Sequence, residues 1–193
     1  MSKNETDVLI EFKKIHKKFG DLTVLNEIDL KINKQTIHAL VGENGAGKST
    51  LMKILVGIEK PTSGVMNLRG QQYAPVNVLD SVHQKIGLVH QHFQLADELT
   101  GVDHLHLVSD ILRLKRENAI AKAESLLKQF HWSIPLNKKI KHYSVGEQQR
   151  IEILRVLLSE PEIIIFDEPT AVLSPTEVSD FLNFLKELKL TFI

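Results

Sequence analysis

Residues 42–50, GENGAGKST, contain glycines, a lysine and a hydroxyl group at the spacing G-x-x-x-x-G-K-[ST]. Glycines allow turns that other residues disfavour, so consecutive backbone N–H groups can point inward at phosphate oxygens. Lys48 is then placed to reach the β and γ phosphates, and the Ser49 hydroxyl to bind Mg²⁺. The alternative is a glycine-rich turn that contains a lysine by chance. This nonapeptide therefore predicts binding of a nucleoside triphosphate.

Two carboxylates follow the apolar run IIIF, residues 163–166, at the end of a predicted buried strand. Sheets in α/β proteins place their ligand sites at such strand ends. Asp167 can hold Mg²⁺ there, and Glu168 can polarise the attacking water. The alternative is an acidic pair in a strand-to-helix turn, where Asp is common. After a phosphate-binding loop, the pair indicates the second half of a site for phosphoryl transfer.

Phosphoryl transfer depends mainly on positioning and on neutralising charge, so a further polar group is expected near the γ-phosphate. Gln91, at the end of the predicted strand QKIGLVHQ, is the candidate for that group. The alternative is a glutamine in a solvated loop.

The flanking sequence predicts the strand and the helix that the phosphate-binding loop requires. TIHALV, residues 36–41, is typical of a short buried strand, and STLMKILVGI, residues 49–58, of a helix whose positive N-terminal end faces an anion. VLIEFKKIHKKF and LNEIDLKI alternate apolar and polar residues, as half-buried antiparallel strands do. VMNLRGQQY indicates a further short edge strand and turn. Strands and turns therefore dominate the first third of the chain.

From about Leu99 the pattern changes to helical spacing. DHLHLVSDILRL, NAIAKAESLLKQF and GEQQRIEILRVLLS carry apolar residues at that spacing and few strand formers. TEVSDFLNFLKELK is a helix that begins after Ser174 and Pro175. The order of elements predicts an α/β protein with an inserted helical block.

The composition is that of one globular domain. The chain has 193 residues with 24 basic and 24 acidic side chains, so its formal net charge gives no bulk reason to expect nucleic acid as a partner. It contains no cysteine, which excludes disulfides and thiol chemistry and fits a reducing compartment. The apolar runs are too short to cross a bilayer, and the polar start MSKNETD is not a signal peptide. Work at a membrane would therefore need a separate anchor.

Four segments, GENGAGKST, LVHQHF, YSVGEQQR and IIIFDEPTAVL, occur in the order seen in the ATP-binding cassette of ABC transporters, which the whole chain resembles. YSVGEQQR discriminates most, because other ATPases with a phosphate loop lack an S-x-G-x-Q element before a helix leading into the second carboxylate strand. The resemblance implies a P-loop NTPase (RecA-like) fold: a parallel-sheet core with an N-terminal antiparallel β subdomain and an inserted α-helical subdomain. One cassette would span residues 1–193, with the core at about 1–92 and 158–193 and the helical subdomain at about 93–157.

The resemblance also implies roles for individual residues, with ATP and Mg²⁺ as cofactors. Phe19, in KKFGDL, would stack on adenine, the alternative being a core aromatic of a strand. Gln91 and Asp167 would bind Mg²⁺ together with Ser49, and Glu168 would be the catalytic base. The nucleotide-binding loop would comprise Gly42, Glu43, Asn44, Gly45, Ala46, Gly47, Lys48, Ser49 and Thr50, of which Lys48 joins Gln91 and Glu168 in catalysis.

A signature loop is implied by the same resemblance. Ser144, Gly146 and Gln148 would touch the γ-phosphate bound by a second cassette, fused or separate. The N-terminus of the following helix would then offer a second positive end to that anion. Two cassettes would close around ATP and open after hydrolysis. Further implied partners are transmembrane permease subunits and an extracytoplasmic solute-binding protein, with the chain peripheral on the cytoplasmic face of the membrane.

Departures from the usual signature L-S-G-G-Q narrow the subfamily. Tyr143, Val145 and Glu147 interrupt that pattern. In a different segment, the loop after the second carboxylate commonly ends in Asp in this family, and here it ends in Ser174. SVGEQQRIEIL, DEPTAVLSP and VHQHF are similar to ATPases of bacterial importers for simple sugars and nucleosides. The family also carries a switch histidine beyond the point where LTFI stops, and these importer ATPases usually contain two fused cassettes. The resemblance therefore predicts a fragment, with an unpaired sheet edge and apolar surface exposed.

Two other functions remain open at this stage. One is a soluble ABC ATPase without a membrane partner, of the translation-factor type. The other is a nucleotide-binding remnant that no longer turns over ATP.

Histidines and lysines suggest further chemistry that the sequence supports less well. His90 with His92, and His104 with His106, have a spacing that a metal can use, but a nearby third ligand is missing from the pattern. We interpret these four as polar side chains around the loop. NKKIKHY, residues 137–143, is interpreted as a solvated basic face rather than a nucleic-acid site.

Overall fold

The computed structural model describes residues 7–90, 94–167, 169 and 175–193. Its strands are β1 (Val8–Phe19), β2 (Leu22–Asn33), β3 (Ser63–Leu68), β4 (Gln71–Tyr73), β5 (Ile86–Val89), β6 (Ile163–Phe166) and β7 (Thr191–Phe192). Its α-helices are α1 (Lys48–Leu55), α2 (Val78–His83), α3 (Gly101–Ile111), α4 (Arg116–Gln129), α5 (Val145–Leu157) and α6 (Pro175–Leu188). Strands and helices of this mixture confirm the predicted α/β class.

An antiparallel sheet in the order β2-β1-β3-β4 forms the N-terminal part. The apolar residues of β1 are buried, with Ile10, Phe12 and Ile15 at 0–1% exposure. Burial does not alternate strictly, since Lys13 and Lys14 are both exposed where the pairing register with β2 shifts between Phe12 and Ile15. The predicted strands at β1 and β2 are therefore confirmed. The VMNLRGQQY segment is a hairpin of β3 and β4, and β3 lies between β1 and β4. The prediction of an edge strand was wrong for β3, since position within a sheet depends on pairing partners distant in sequence.

A second sheet has the order β5-β6-β7, and β6 and β7 run parallel. The three isoleucines of β6, Ile163–Ile165, are 0% exposed, as expected for a strand covered on both faces. The predicted strand TIHALV is reduced to one parallel bridge between Ile37 and Phe192. Val41 is 93% exposed. The prediction of a buried strand was therefore wrong here: in the described residues the pairing of this segment is limited to that bridge and to the hydrogen bond from the His38 N–H to the Phe192 carbonyl oxygen.

The helical block packs around its own apolar cluster. Helices α3, α4 and α5 and the connection before α5 contribute Leu105, Ala119, Ala123, Leu127, Ile134, Ile140, Tyr143, Ile151, Leu154 and Leu158. The predicted apolar stripe of α5 is thus buried, as its helical spacing requires. On α6, Phe184 packs edge-on against Phe130, with ring centroids 4.7 Å apart. These contacts tie α6 to the end of α4.

The chain divides into two compact units. One comprises residues 1–86, 162–165 and 189–193, and the other residues 87–161 and 166–188. The predicted assignment of residues 93–157 to a helical subdomain remains a prediction. None of the helices in the described part of the chain combines the length and the apolar character needed to span a bilayer.

Candidate functional site

The phosphate loop, residues 42–50, enters α1 at Lys48 and rests against β2. Gly45 and Gly47 have φ angles of 84° and 86°, in the left-handed region that favours glycine. A Cβ atom at Gly47 would lie 2.5 Å from Cδ2 of Leu25 and 2.9 Å from the carbonyl oxygen of Val24. Position 47 therefore requires glycine for two reasons, its backbone conformation and its contact with β2.

The N-terminus of α1 is open to an anion. Among the described residues, no side chain caps this helix at Gly47, and the first turn contains no acidic residue. The first N–H groups of a helix lack partners within the helix and carry its positive partial charge. The Lys48 ammonium donates hydrogen bonds to the carbonyl oxygens of Gly42 (2.8 Å) and Glu43 (2.9 Å), so it lies at the loop. Lysine and helix end thus supply positive charge at the same place.

Phe19 lies on the hairpin of β1 and β2 that the phosphate loop contacts. It is the last residue of β1 and pairs with Leu22, while Lys17 pairs with Leu25, the residue that Gly47 approaches. Phe19 is 45% exposed, so the alternative of a core aromatic does not hold. An exposed ring on this hairpin is available for stacking, and its contact with adenine remains a prediction.

Asp167 follows β6, as predicted. Its backbone N–H donates to the carbonyl oxygen of Val89, the last residue of β5, at 3.2 Å. The ends of β5 and β6 are therefore neighbours, and Gln91 follows β5 by two residues. Gln91 and Glu168 themselves lie outside the described residues, so the roles predicted for them remain predictions.

The signature segment forms the N-terminal cap of α5. The Ser144 hydroxyl accepts from the Glu147 N–H (3.3 Å), and the Ser144 N–H donates to the Glu147 carboxylate (2.7 Å). This capping box holds the pKa of Glu147 below its ordinary value, mainly through the backbone hydrogen bond from Ser144. Gln148 donates its amide to the carbonyl oxygen of Tyr143 at 3.3 Å, and Gly146 lies in the first turn. The contact of Ser144, Gly146 and Gln148 with a second cassette remains a prediction.

Helix α5 also holds two other segments through their main chain, which the sequence analysis missed. The Gln149 amide donates to the carbonyl oxygen of Pro169 at 2.7 Å. The Glu152 carboxylate accepts from the Gln94 N–H at 2.5 Å, and Arg155 donates to the Gln94 carbonyl at 3.0 Å. Glu152 and Arg155 are themselves paired at 2.9 Å, with the carboxylate side chain 5% exposed. One helix thus positions the residue that follows Glu168 and the segment that follows Gln91. The available signal was an acid and a base three residues apart on an apolar helix.

The histidine and lysine predictions are resolved in part. His104 is 2% exposed within α3, where its Nε2 accepts from the Ala96 N–H at 3.0 Å, so it is a buried side chain and not a polar residue around the loop. Burial lowers the pKa of His104. Lys139 and Lys141 both pair with Glu98, at 2.9 and 2.7 Å. In the described part of the chain, no group of three or more acidic or histidine side chains is arranged to hold a metal.

The oxygen-bearing side chains nonetheless fit magnesium. Ser49, Gln91 and Asp167 offer hydroxyl, amide and carboxylate oxygens, which are the donors that this ion prefers over nitrogen and sulfur. Magnesium binding is therefore compatible with the residues present.

Comparison with known proteins finds relatives over most of the chain. The nucleoside import ATP-binding protein NupA of Lactococcus lactis subsp. cremoris is 38% identical over 188 residues, which are 96% of this chain and 37% of NupA. The guanosine import ATP-binding protein NupO of Bacillus subtilis is 37% identical over 94% of this chain and 36% of the length of NupO. The ribose import ATP-binding protein RbsA of Caldanaerobacter subterraneus is 36% identical over 94% of this chain and 37% of the length of RbsA. The chain therefore spans about a third of the length of these relatives.

Solved structures show the same fold. A nucleotide-free ATP-binding cassette from an ABC transporter matches with a TM-score of 0.85 and 26% identity, over 96% of this chain and 79% of that one. An ATP-binding cassette in its ADP conformation matches with a TM-score of 0.84, also at 26% identity. The sequence profile of the ABC transporter family matches residues 25–171, which include the phosphate loop, the signature segment and the carboxylate strand. The chain belongs to the ABC transporter family and has the fold of its ATP-binding cassette.

Proposed function

We propose that this protein binds and hydrolyses ATP to energise an importer for simple sugars or nucleosides. The observation that carries the proposal is the phosphate loop, where the Lys48 ammonium and the uncapped N-terminus of α1 combine. Support for the transported class comes from relatives described as nucleoside, guanosine and ribose import ATP-binding proteins. Selectivity for the solute would reside in the permease and solute-binding subunits, so the exact solute is a property of those partners.

In the proposed reaction, backbone N–H groups of residues 42–50 and the Lys48 ammonium hold the phosphates of ATP. Glu168 accepts a proton from water as it attacks the γ-phosphorus, and ADP leaves with the β-phosphate oxygen. Gln91 orients that water. Magnesium held by Ser49, Gln91 and Asp167 would neutralise charge on the β and γ phosphates. Ser144, Gly146 and Gln148 of one cassette would contact the γ-phosphate bound by another.

The proposed setting is the cytoplasmic face of the cell membrane, with the chain held there by permease subunits. Residues 93–142 would dock on those subunits through the surface adjoining HQHFQLADEL, since Gln91 lies where this block joins the core in the sequence. Changes at the γ-phosphate would then alter the orientation of the block. A solute-binding protein on the other side of the membrane completes the proposed system.

The central experiment uses the complete protein with its permease in membrane vesicles. Wild-type protein should show ATP-dependent uptake of ribose or guanosine and release phosphate. Glu168→Gln should retain ATP without releasing phosphate, because an amide preserves shape but accepts no proton from the water. Phosphate release without any association with a permease would favour the soluble ABC ATPase. ATP binding with no turnover in any assembly would favour the nucleotide-binding remnant.

A cross-linking experiment tests the docking surface. The chain contains no cysteine, so a single introduced thiol is unambiguous. Asp97 is exposed, whereas its neighbour Leu95 packs on the helical cluster, so Asp97→Cys is the better position. We expect it to cross-link to the permease. Glu124→Cys, exposed on α4 and outside the HQHFQLADEL segment, is the control and should not cross-link. A transporting complex in which Asp97→Cys reaches no permease subunit would contradict the proposed docking.

A further inference from the structure

An ammonium group covers one face of the exposed Phe19 ring. The Lys17 Nζ atom lies 4.6 Å from the ring centroid, within the range in which a cation is attracted to an aromatic face. Lys17 and Phe19 are two residues apart on β1, so their side chains extend from the same side of the strand. A planar ligand that stacks on Phe19 therefore has only the opposite face.

Lys17 is fixed in this position, unlike an ordinary surface lysine. Its ammonium pairs with the Glu59 carboxylate at 2.8 Å and donates to the Lys60 carbonyl oxygen at 2.8 Å. The Lys17 side chain is only 11% exposed. An ammonium has three N–H donors, so two hydrogen bonds leave one for the ring. The cation is thus held over Phe19 by groups that belong to another segment of the chain.

That other segment is the end of the helix that begins in the phosphate loop. The Glu59 N–H donates to the carbonyl oxygen of Lys53, in the last turn of α1, at 3.1 Å. At the other end of α1, Gly47 contacts Leu25, the partner of Lys17 in the hairpin. The hairpin end that carries the ring is therefore connected to both ends of α1. This arrangement sets the distance between the ring and the phosphate loop.

We propose that Lys17 is a positioning residue for the nucleotide base: it closes one face of Phe19 and polarises the ring so that adenine stacks on the other. This inference rests on the proposed function, since it needs ATP phosphates in the loop. Aromatic faces carry negative charge and repel each other when stacked directly. A cation on one face of the ring withdraws part of that negative charge. The opposite face then repels an electron-rich purine less, which favours stacking there. Lys17 would therefore contribute to base recognition and contribute nothing to the phosphates.

The test compares ATP with inorganic tripolyphosphate, which lacks the base, by calorimetry on the 193-residue chain with Mg²⁺. Lys17→Met keeps most of the side-chain length but removes the charge. We expect it to weaken ATP binding about three- to tenfold and to leave tripolyphosphate binding unchanged. Lys17→Arg, which retains a cation, should restore most of the affinity for ATP. On a Phe19→Leu background, Lys17→Met should have no further effect on ATP.

Lys18→Met is the matched control, because it removes the same charge from the next residue, which is exposed. It should change neither affinity. Equal weakening of ATP and tripolyphosphate by Lys17→Met would overturn the inference, and so would an unchanged affinity for ATP. If the wild-type chain bound ATP and tripolyphosphate but Lys17→Met gave either of these two results, the proposed function would stand without the inference. If the wild-type chain bound neither, the proposed function would fail and the inference with it.

Discussion

The phosphate loop and the segments held by α5 are positioned in different ways. In the phosphate loop, nine consecutive residues set their own geometry through left-handed glycines and the open end of α1. Around α5, side chains bind main-chain groups far away in sequence: Glu152 binds Gln94, 58 positions earlier, and Gln149 binds Pro169, 20 positions later. The first region depends on backbone conformation and the second on buried polar contacts. The two regions should therefore respond differently to substitution.

The largest expected effect tests the buried contacts of α5. Glu152→Ala removes a buried carboxylate and leaves Arg155 and the Gln94 N–H without it. Breaking a buried ion pair by removing one partner costs about 3–5 kcal/mol. Urea denaturation of the 193-residue chain measures this loss. Glu152→Gln, which still accepts from Gln94, should lose less.

Glu124 provides the control for this substitution. It is exposed on α4, and Glu124→Ala should change the free energy of unfolding by no more than about 0.5 kcal/mol. Equal losses for Glu124→Ala and Glu152→Ala would show that Glu152 is not a structural contact of α5.

The next effect separates conformation from contact in the phosphate loop. Gly45→Ala and Gly47→Ala both place a side chain at a left-handed φ, which costs about 1–2 kcal/mol. At Gly45 the added Cβ meets nothing within 4 Å, whereas at Gly47 it meets Leu25 and Val24. Overpacking adds about 1–3 kcal/mol at Gly47. Urea denaturation should therefore rank Gly47→Ala as the more destabilising change, and equal losses would contradict the contact with β2.

The third effect concerns affinity rather than stability. Lys48→Ala removes the cationic side chain of the phosphate loop, and hydrogen bonds to charged groups are worth about 1.5–3 kcal/mol. ATP binding by calorimetry should weaken about 10- to 100-fold while the free energy of unfolding changes little. Lys53→Ala, exposed on the same helix, should leave ATP affinity unchanged. Unchanged affinity in Lys48→Ala would refute the assignment of the phosphate loop.

The smallest effect tests the capping box of α5 through pH. Because the pKa of Glu147 is lowered in the folded state, its carboxylate stabilises the protein above its ordinary pKa of 4.5. That contribution is lost as pH falls through the lowered value. Glu147→Gln should therefore be less stable than wild type at pH 7 by about 0.3–1 kcal/mol, and the difference should shrink below pH 4. A difference that does not depend on pH would show that charge at position 147 is irrelevant.

Local patterns predicted much of the fold because neighbouring residues determine it. The segment VLIEFKKIHKKF predicted a strand, and β1 spans the same residues, Val8–Phe19. The isoleucines of β6 predicted a buried strand, and they are buried. TIHALV has the same apolar character as β6, yet Val41 is exposed. Apolar composition makes a strand possible, but a strand forms only where a neighbouring strand supplies hydrogen bonds over its length. For TIHALV that neighbour pairs only near Ile37.

The sequence by itself determined the phosphate loop, because its glycines, lysine and helix start are contiguous and act through their own backbone. Only the tertiary structure decided that Lys17 covers Phe19 while bound to Glu59, 42 positions away. Only the tertiary structure likewise decided the hydrogen bond from the Gln94 N–H to Glu152 and the burial of His104. The physical reason is that a side chain's partner across space depends on how distant segments pack. Sequence spacing encodes conformation within a segment, but it does not encode which segments meet.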